Sequence, residues 1–269
     1  MKMLNRRADI VSQKQVAALT YRLSLRAPDI AAGAVPGQFV MVKVSSGTDP
    51  LIRRPLSIHA VEKKTIAIMY DIVGPATALL AQRRPGDSLD ILGPLGSGFN
   101  LRIPRSSSPV IVAGGIGVAP LLFLAQQLVR RAGIKPLVLI GARTRGQIVC
   151  AAEFQRLGCA VHLATDDGTC GVRCRVPELL EKFLDREINV KRFAGKEGAS
   201  VRLYACGPKP MLRQISRIAT ERHIRAQISL EAHMACGIGA CLGCVVKTVE
   251  GFKRVCKDGP VFEAQEIAW

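Results

Sequence analysis

The sequence predicts a β plus α/β architecture in three parts. These are an N-terminal antiparallel β-barrel over residues 1–101, a doubly wound parallel α/β domain over 102–228, and a small cysteine-rich module over 229–269. Three observations predict it. The first hundred residues are short β-rich runs separated by turns. Beyond residue 109, apolar strand-like runs alternate with helix-like ones. The last stretch gathers Cys236, Cys241, Cys244 and Cys256 among glycines. A length of 269 residues suits two compact domains plus a small module.

In the first part, "QFVMVKV", "LSIHAV", "TIAIMYDIV" and "SLDILG" are β-rich, and "VPG", "TDP" and "RPGD" break them. Short strands with such close turns suggest a small closed barrel. "NLRIPRSSSP", residues 100–109, is polar and rich in Pro and Ser, as a linker would be. "VIVAGGIGVAPLLFLAQQLVRR" then reads as an apolar strand, a glycine turn and a helix. "PLVLIGAR", "AVHLATDDG", "VRLYACGP" and "RAQISLEA" supply further apolar runs, with "PELLEKFL" and "PMLRQISRIATER" as helices between them. That alternation is what a parallel, doubly wound sheet requires. The charged run "REINVKRFAGKEGASVR" is expected to be a loop.

Several stretches carry chemistry. In "LIRRPLSI", residues 51–58, planar arginine donors suit a diphosphate, and Ser57 can hydrogen-bond a ring edge. A strand entry with surface arginines is the plainer reading. "YDIVGPATALL" is a glycine turn leading into a helix start, where free N–H groups favour phosphate. "GPLGSGF" is a turn that lets the backbone approach a ligand, or an ordinary loop. "AGGIGVAPLL" follows a strand and opens a helix, the context of a dinucleotide loop, although its GGxGxxP pattern is not GxGxxG. "YACGPKPML" repeats the strand, turn and helix order at a later strand end.

The cysteines follow C-x4-C-x2-C-x11-C. Its start is the spacing of plant-type [2Fe–2S] proteins. Structural zinc more often uses a C-x2–4-C knuckle at each end. Zinc and free thiols are the alternatives to a cluster. Nine cysteines, an odd number, argue against a disulfide framework. The N-terminus has no apolar core of signal-peptide type, and no run of about 18 uncharged apolar residues is present. A cytoplasmic protein without a membrane partner is expected.

The formal charge is +17, and the excess precedes the tail, where four Lys and Arg face five Asp and Glu. Such a balance suits an anionic cofactor or an acidic partner. With only 4% aromatic residues, base stacking is disfavoured and nucleic acid is not expected as a partner. A zinc-stabilised basic binding module is the competing class. The four histidines are scattered, and no Ser/His/Asp triad stands out.

Barrel, α/β domain and ferredoxin-like cysteines together resemble the ferredoxin–NADP reductase superfamily. Read in order, "RRPLSI", "GPLGSGF", "GGIGVAPL", "TDDGTCG", "YACGPKPML", "SLEAHMACGIGACLGC" and "RVCKDGPVF" resemble the electron-transfer subunit of class 1B dihydroorotate dehydrogenase. The resemblance covers nearly the whole chain. It implies that Arg54, Pro55, Leu56 and Ser57 hold FAD, that Met69, Tyr70 and Asp71 line it, and that Gly74, Ala76 and Thr77 take its pyrophosphate side. It implies that Cys236, Cys241, Cys244 and Cys256 ligate a [2Fe–2S] cluster. Gly114, Gly115 and Gly117, with Cys206, Gly207 and Pro208, would form the NAD cleft. The implied partner is an FMN-containing catalytic subunit that oxidises dihydroorotate, in a heterotetramer of two catalytic and two electron-transfer subunits serving pyrimidine biosynthesis. Electrons would pass from FMN through the cluster and FAD to NAD+. A related small subunit, of an NADH-dependent ferredoxin:NADP oxidoreductase or a sulfide dehydrogenase, is the alternative. Three features depart from the pattern. Asp71 stands where the family often has a basic residue, Cys174 stands where a glycine is expected, and the Cys244–Cys256 interval is short.

Overall fold

The computed structural model describes residues 4–104, 107–189 and 201–269. The chain forms two compact units. One runs up to Phe99 and includes Glu231–Val261; the other comprises Asn100–Leu230 and Phe262–Trp269. The segment expected as a module of its own, 229–269, is thus divided between the two units.

The first unit is a closed barrel. Its elements are β1 (Leu4–Gln15), β2 (Thr20–Arg26), α1 (Pro28–Gly33), β3 (Phe39–Lys43), β4 (Arg54–Glu62), β5 (Thr65–Asp71), α2 (Pro75–Ala81) and β6 (Ser88–Leu95). The strands close in the order β1-β2-β5-β4-β3-β6, with antiparallel pairing. The sequence reading found the last four strands and missed β1 and β2. Their inward positions are few, with Ala8 and Ile10 buried on β1 and Leu23 and Leu25 on β2, while charged and polar residues fill the outward face. On β1 the inward signal is faint, whereas β2 alternates Tyr21, Leu23 and Leu25 with Arg22, Ser24 and Arg26, a strand pattern legible in the sequence. Helix α1 buries Ile30 completely.

The second unit is a parallel sheet flanked by helices. It comprises β7 (Ser108–Gly114), α3 (Ala119–Ala132), β8 (Leu137–Ala142), α4 (Ala151–Arg156), β9 (Val161–Thr165), β10 (Val172–Arg173), α5 (Val176–Asn189), β11 (Val201–Cys206), α6 (Lys209–Glu221) and β12 (Arg225–Ser229). In the cysteine segment, β13 (Val245–Thr248) and β14 (Gly251–Arg254) form a hairpin, and β15 (Val261–Glu263) follows. The sheet order is β10-β9-β8-β7-β11-β12-β15. From β7 the chain winds outward to β10, then returns to place β11 on the other side of β7. Strands β7, β8 and β11 are near-continuous apolar runs because helices cover both faces. Of the charged run expected to be a loop, residues 190–200 lie outside the described residues; its ends close α5 and open β11.

The expected linker is tied down within the second unit. The Asn100 N–H donates to Gln227 Oε1 at 2.9 Å, and the Tyr204 hydroxyl donates to Asn100 O at 3.2 Å. Gln227 Nε2 in turn donates to Glu263 Oε1 at 2.7 Å. One part-buried polar network therefore fixes both the entry to this unit and the return of the chain at β15.

Candidate functional site

The four cysteines of the tail come together two by two. Two left-handed glycines, Gly237 (φ 71°) and Gly239 (φ 81°), curl the loop after Cys236 so that peptide N–H groups turn inward. The Ile238 N–H donates to Cys236 Sγ at 3.4 Å. Burial opposes ionisation of Cys236, but N–H groups of Cys241, Ile238 and Ala240 and the Cys241 thiol bring it down to about 6. Cys244 and Cys256 meet because the β13–β14 hairpin joins them. Its outermost pair is Val245 and Arg254, and the Val255 N–H donates to Cys244 O at 3.0 Å. The short interval between these cysteines is thus the length of one hairpin. The Cys256 N–H points at Cys244 Sγ at 3.4 Å. Burial, and then the neighbouring Cys244 thiol, push Cys256 up to about 12.

The thiols therefore stand as two pairs, Cys236 with Cys241 and Cys244 with Cys256. Among the described residues, no three His, Cys, Asp or Glu side chains gather as one metal ion would need. Two pairs with inward N–H groups suit a two-iron core, which four thiolates share. Thiols that hydrogen-bond as neutral groups must lose their protons to bind metal, and the inward N–H groups favour that charge.

The cysteine segment sits on the barrel wall, and the sequence reading missed its seat. A side chain at Gly237 would run into Met41 Cγ at 2.5 Å, and one at Gly96 into Pro260 Cδ at 2.6 Å and Phe39 Cε1 at 3.0 Å. The Ser97 N–H donates to Gly259 O at 2.6 Å. In the β3–β4 register Phe39 lies opposite Ser57 and Met41 opposite Pro55. Directly opposed residues share a sheet face. Two of the residues expected at FAD thus share a face with the floor beneath the cysteine loop. A signal existed: "FVMV" is apolar at every position, so both faces of β3 are covered.

The expected flavin residues line up along the barrel. Arg54, Pro55, Leu56 and Ser57 are half-exposed at the start of β4. The two arginines divide their labour. Arg53 is fixed on Asp90 of β6 at 2.7 Å, whereas Arg54 bonds Ile52 O and keeps further donors. Met69 and Tyr70 on β5 are almost fully buried, so they can offer a ligand little beyond their backbone. Burial, and then stacked Tyr21, keep the Tyr70 phenol protonated. Asp71 accepts a 2.6 Å bond from the Thr20 hydroxyl. Glu231 retains an exposed surface, yet its carboxyl is pushed up by burial and then by Asp71, so the cysteine segment begins beside the end of β5. The Thr77 hydroxyl accepts the Val73 and Gly74 N–H groups at 2.9 and 3.3 Å. It caps α2, while Gly74, Ala76 and Thr77 hold the helix start. Gln13 secures the other end by donating to Leu80, Ala81 and Arg83 carbonyls.

In the second unit, the two glycine turns expected to face a nucleotide meet at the C-terminal ends of β7 and β11, where the winding of the sheet reverses. Open α/β sheets bind ligands in such a crevice. The single 3₁₀ turn after Gly114, Gly115–Val118, leads into α3. A Cβ on Gly117 would collide with the Cys206 carbonyl, and one on Gly114 with Met211 Sδ. Gly207 lies 3.1 Å from Gly114 Cα when given a Cβ. Glycine is thus required for backbone to pass backbone. Gly115 is different: its φ of 54° is left-handed, but its open side faces no atom within 4 Å. Gly114, Gly115 and Gly117 are therefore brought together with Cys206, Gly207 and Pro208.

Comparison with known proteins agrees with this layout. Residues 231–268 match the family described as the iron-sulfur cluster binding domain of dihydroorotate dehydrogenase B, and residues 111–217 the oxidoreductase NAD-binding domain. The chain is 41% identical over 270 residues to the dihydroorotate dehydrogenase B (NAD(+)) electron transfer subunit of Desulforamulus reducens, covering 97% of each chain. It is 42% identical over 268 residues to that of Bacillus caldolyticus, again covering 97% of each. The chain belongs to this family. Among solved structures, an NADH-dependent reduced ferredoxin–NADP oxidoreductase superposes with a TM-score of 0.82 at 26% identity, covering 97% of this chain and 90% of that one. A ferredoxin NADP+ reductase from Neisseria gonorrhoeae, at 18% identity and a TM-score of 0.64, shares the fold. For a dihydroorotate dehydrogenase B electron-transfer subunit, Cys174 in place of glycine brings no backbone strain, since Cys174 is not among the residues of positive φ. No described helix is long and apolar enough to cross a membrane.

Proposed function

We propose that this chain is the electron-transfer subunit of an NAD-dependent dihydroorotate dehydrogenase in pyrimidine biosynthesis. The observation that carries the reading is the pair of thiol pairs seated on the wall of the barrel that bears the flavin motif. Cys236, Cys241, Cys244 and Cys256 would hold a [2Fe–2S] cluster. Arg54 would give its remaining guanidinium donors to the FAD diphosphate, with Ser57 at the ring edge and Pro55 and Leu56 beside it. Met69, Tyr70 and Asp71 would line FAD through their backbone and the Asp71 carboxylate. The start of α2, with Gly74, Ala76 and Thr77, would face the pyrophosphate. Gly114, Gly115, Gly117, Cys206, Gly207 and Pro208 would form the NAD cleft. Bound there, cluster and FAD supply one-electron and hydride chemistry, carrying electrons from a partner's FMN to NAD+.

The partner would be a catalytic subunit that carries FMN and oxidises dihydroorotate, two copies of each chain forming a cytoplasmic heterotetramer. Ile238, Leu242, Val245, Val249 and Phe252 of the cysteine segment are exposed, Phe252 to 75%. Apolar side chains so concentrated beside the thiols support docking there.

Two measurements test the reading. An anaerobic visible spectrum should show flavin bands and a dithionite-bleachable shoulder, with about two irons per chain. A colourless zinc protein overturns it. Dihydroorotate-dependent NAD+ reduction should require both this chain and the catalytic chain. Reduction that persists without this chain sinks the assignment and favours a different flavoprotein partner.

A further inference from the structure

The seventeen-charge basic excess is hardly used by the cluster, flavin and nucleotide sites. Part of it gathers on the outer wall of the barrel, round a cavity of about 780 Å³ lined by Asn5, Arg7, Lys43, Ser46, Arg83 and Asp90 among others. No residue assigned to flavin or cluster lines it. That volume is ample for a small ligand.

Strand register builds the cavity. Arg7 on β1 and Lys43 on β3 both lie opposite Asp90 on β6. Two cations therefore flank one carboxylate, with their backbones about 10 Å apart across two strand spacings. The neighbouring Ala8, Leu89, Ile91 and Val42 point into the barrel core, so Arg7, Asp90 and Lys43 share the outer face.

Of the two carboxylates on the wall, Asp90 is neutralised. Arg53 Nη2 bonds Asp90 Oδ2 at 2.7 Å, and its Nη1 bonds Asp90 O at 3.0 Å. Asp87, also on the wall, accepts the Arg84 backbone N–H at 2.9 Å and has no cation partner among the described residues, so it keeps its charge. Arg6, also on the cavity wall, is paired with Asp29 at 2.9 Å. Arg83 gives one N–H to Val44 O at 2.8 Å and retains the others. Arg7, Lys43 and Arg83 have no carboxylate partner among the described residues.

We propose that this cavity binds a small anion carrying more than one phosphate group, such as inorganic pyrophosphate or a nucleoside diphosphate. Three cations without a carboxylate partner, two of them guanidinium forks, outnumber the one unpaired carboxylate, Asp87, and match phosphate oxygens. Their spread across two strand spacings suits linked phosphates better than one carboxylate. No lining residue is aromatic, so recognition falls on the phosphates and not on a base. The site is independent of the electron-transfer reading.

Inorganic pyrophosphate titrated calorimetrically into the full chain, with its cofactors in place and NAD+ saturating, provides the test. One site per chain is expected. The double variant Arg7→Ser/Lys43→Ser should weaken it tenfold or more, and Arg7→Gln alone should weaken it less. Lys14→Ser, on the same strand but off the cavity, should leave it unchanged. Absence of a site beyond the NAD cleft overturns the proposal. So does an equal loss in Lys14→Ser, which would mean general charge attraction.

Discussion

Cys236, Cys241 and Cys244 lie on one short loop, and a hairpin delivers Cys256 to it. The nucleotide turns are built the other way, from Gly117 after β7 and Cys206–Gly207 after β11, stretches far apart in the chain that parallel pairing sets side by side. Both places use glycine to bring N–H groups or bare backbone where a side chain would block. In the loop, glycine supplies left-handed φ, and at Gly237 it also leaves room for Met41. At the turns it is needed chiefly for the absence of a Cβ. A site built from local curvature fails with the loss of a ligand. A site built from long-range pressing fails when either backbone is moved.

The sharpest way to break this comparison is Cys244→Ser. It should remove most of the iron and the bleachable absorption, while FAD stays bound through β4, β5 and α2. Simultaneous loss of FAD would mean that the two groups on the barrel are not separable.

Gly117→Ala comes next. Its Cβ meets the Cys206 carbonyl, a backbone atom that cannot swing away. NAD affinity should fall tenfold or more in a fluorescence titration, with a clear drop in Tm and no change in iron content. Unchanged affinity would show that the two turns do not act as one site.

Gly115→Ala tests conformation without collision. The added methyl meets open space, so the cost should be limited to the left-handed φ, about 1–2 kcal/mol. If Gly115→Ala proves worse than Gly117→Ala, the distinction between curvature and close approach fails at this site.

The smallest effect concerns the turn after β9. The Thr169 N–H and then its hydroxyl hold the Asp167 carboxyl below its usual range, at 3.0 and 2.7 Å. A depressed carboxyl pKa adds stability above the unfolded value, about 3.9, and that stability is lost as pH falls through the folded value. Asp167→Asn should lower Tm slightly at pH 7, and the difference should shrink as pH falls through the folded value. Because the group is fully exposed, a large shift at pH 7 would contradict this account.

Much was legible because it is local. The C-x4-C-x2-C spacing, the glycine turns after apolar strands and four of the six barrel strands are patterns within short windows. Strand β1 escaped because "LNRRADIVSQKQ" buries little beyond Ala8 and Ile10, whereas "TYRLSLR" of β2 carries a clear alternation that was legible but passed over. The seat of the cysteine loop escaped for a different reason. Nothing local to Gly237 names Met41, and nothing local to Gly96 names Pro260.

The sequence by itself determined the chemistry available: four thiols at cluster spacing, arginines before a strand, and two glycine turns that open helices. Spacing, propensity and residue type act over a few positions, so they can be read in one dimension. Tertiary structure alone decided that the tail divides between two units, that Arg53 serves Asp90 while Arg54 keeps donors, and that Arg7 and Lys43 face each other across one carboxylate. Those outcomes depend on barrel closure and strand register, which pair residues distant in the chain.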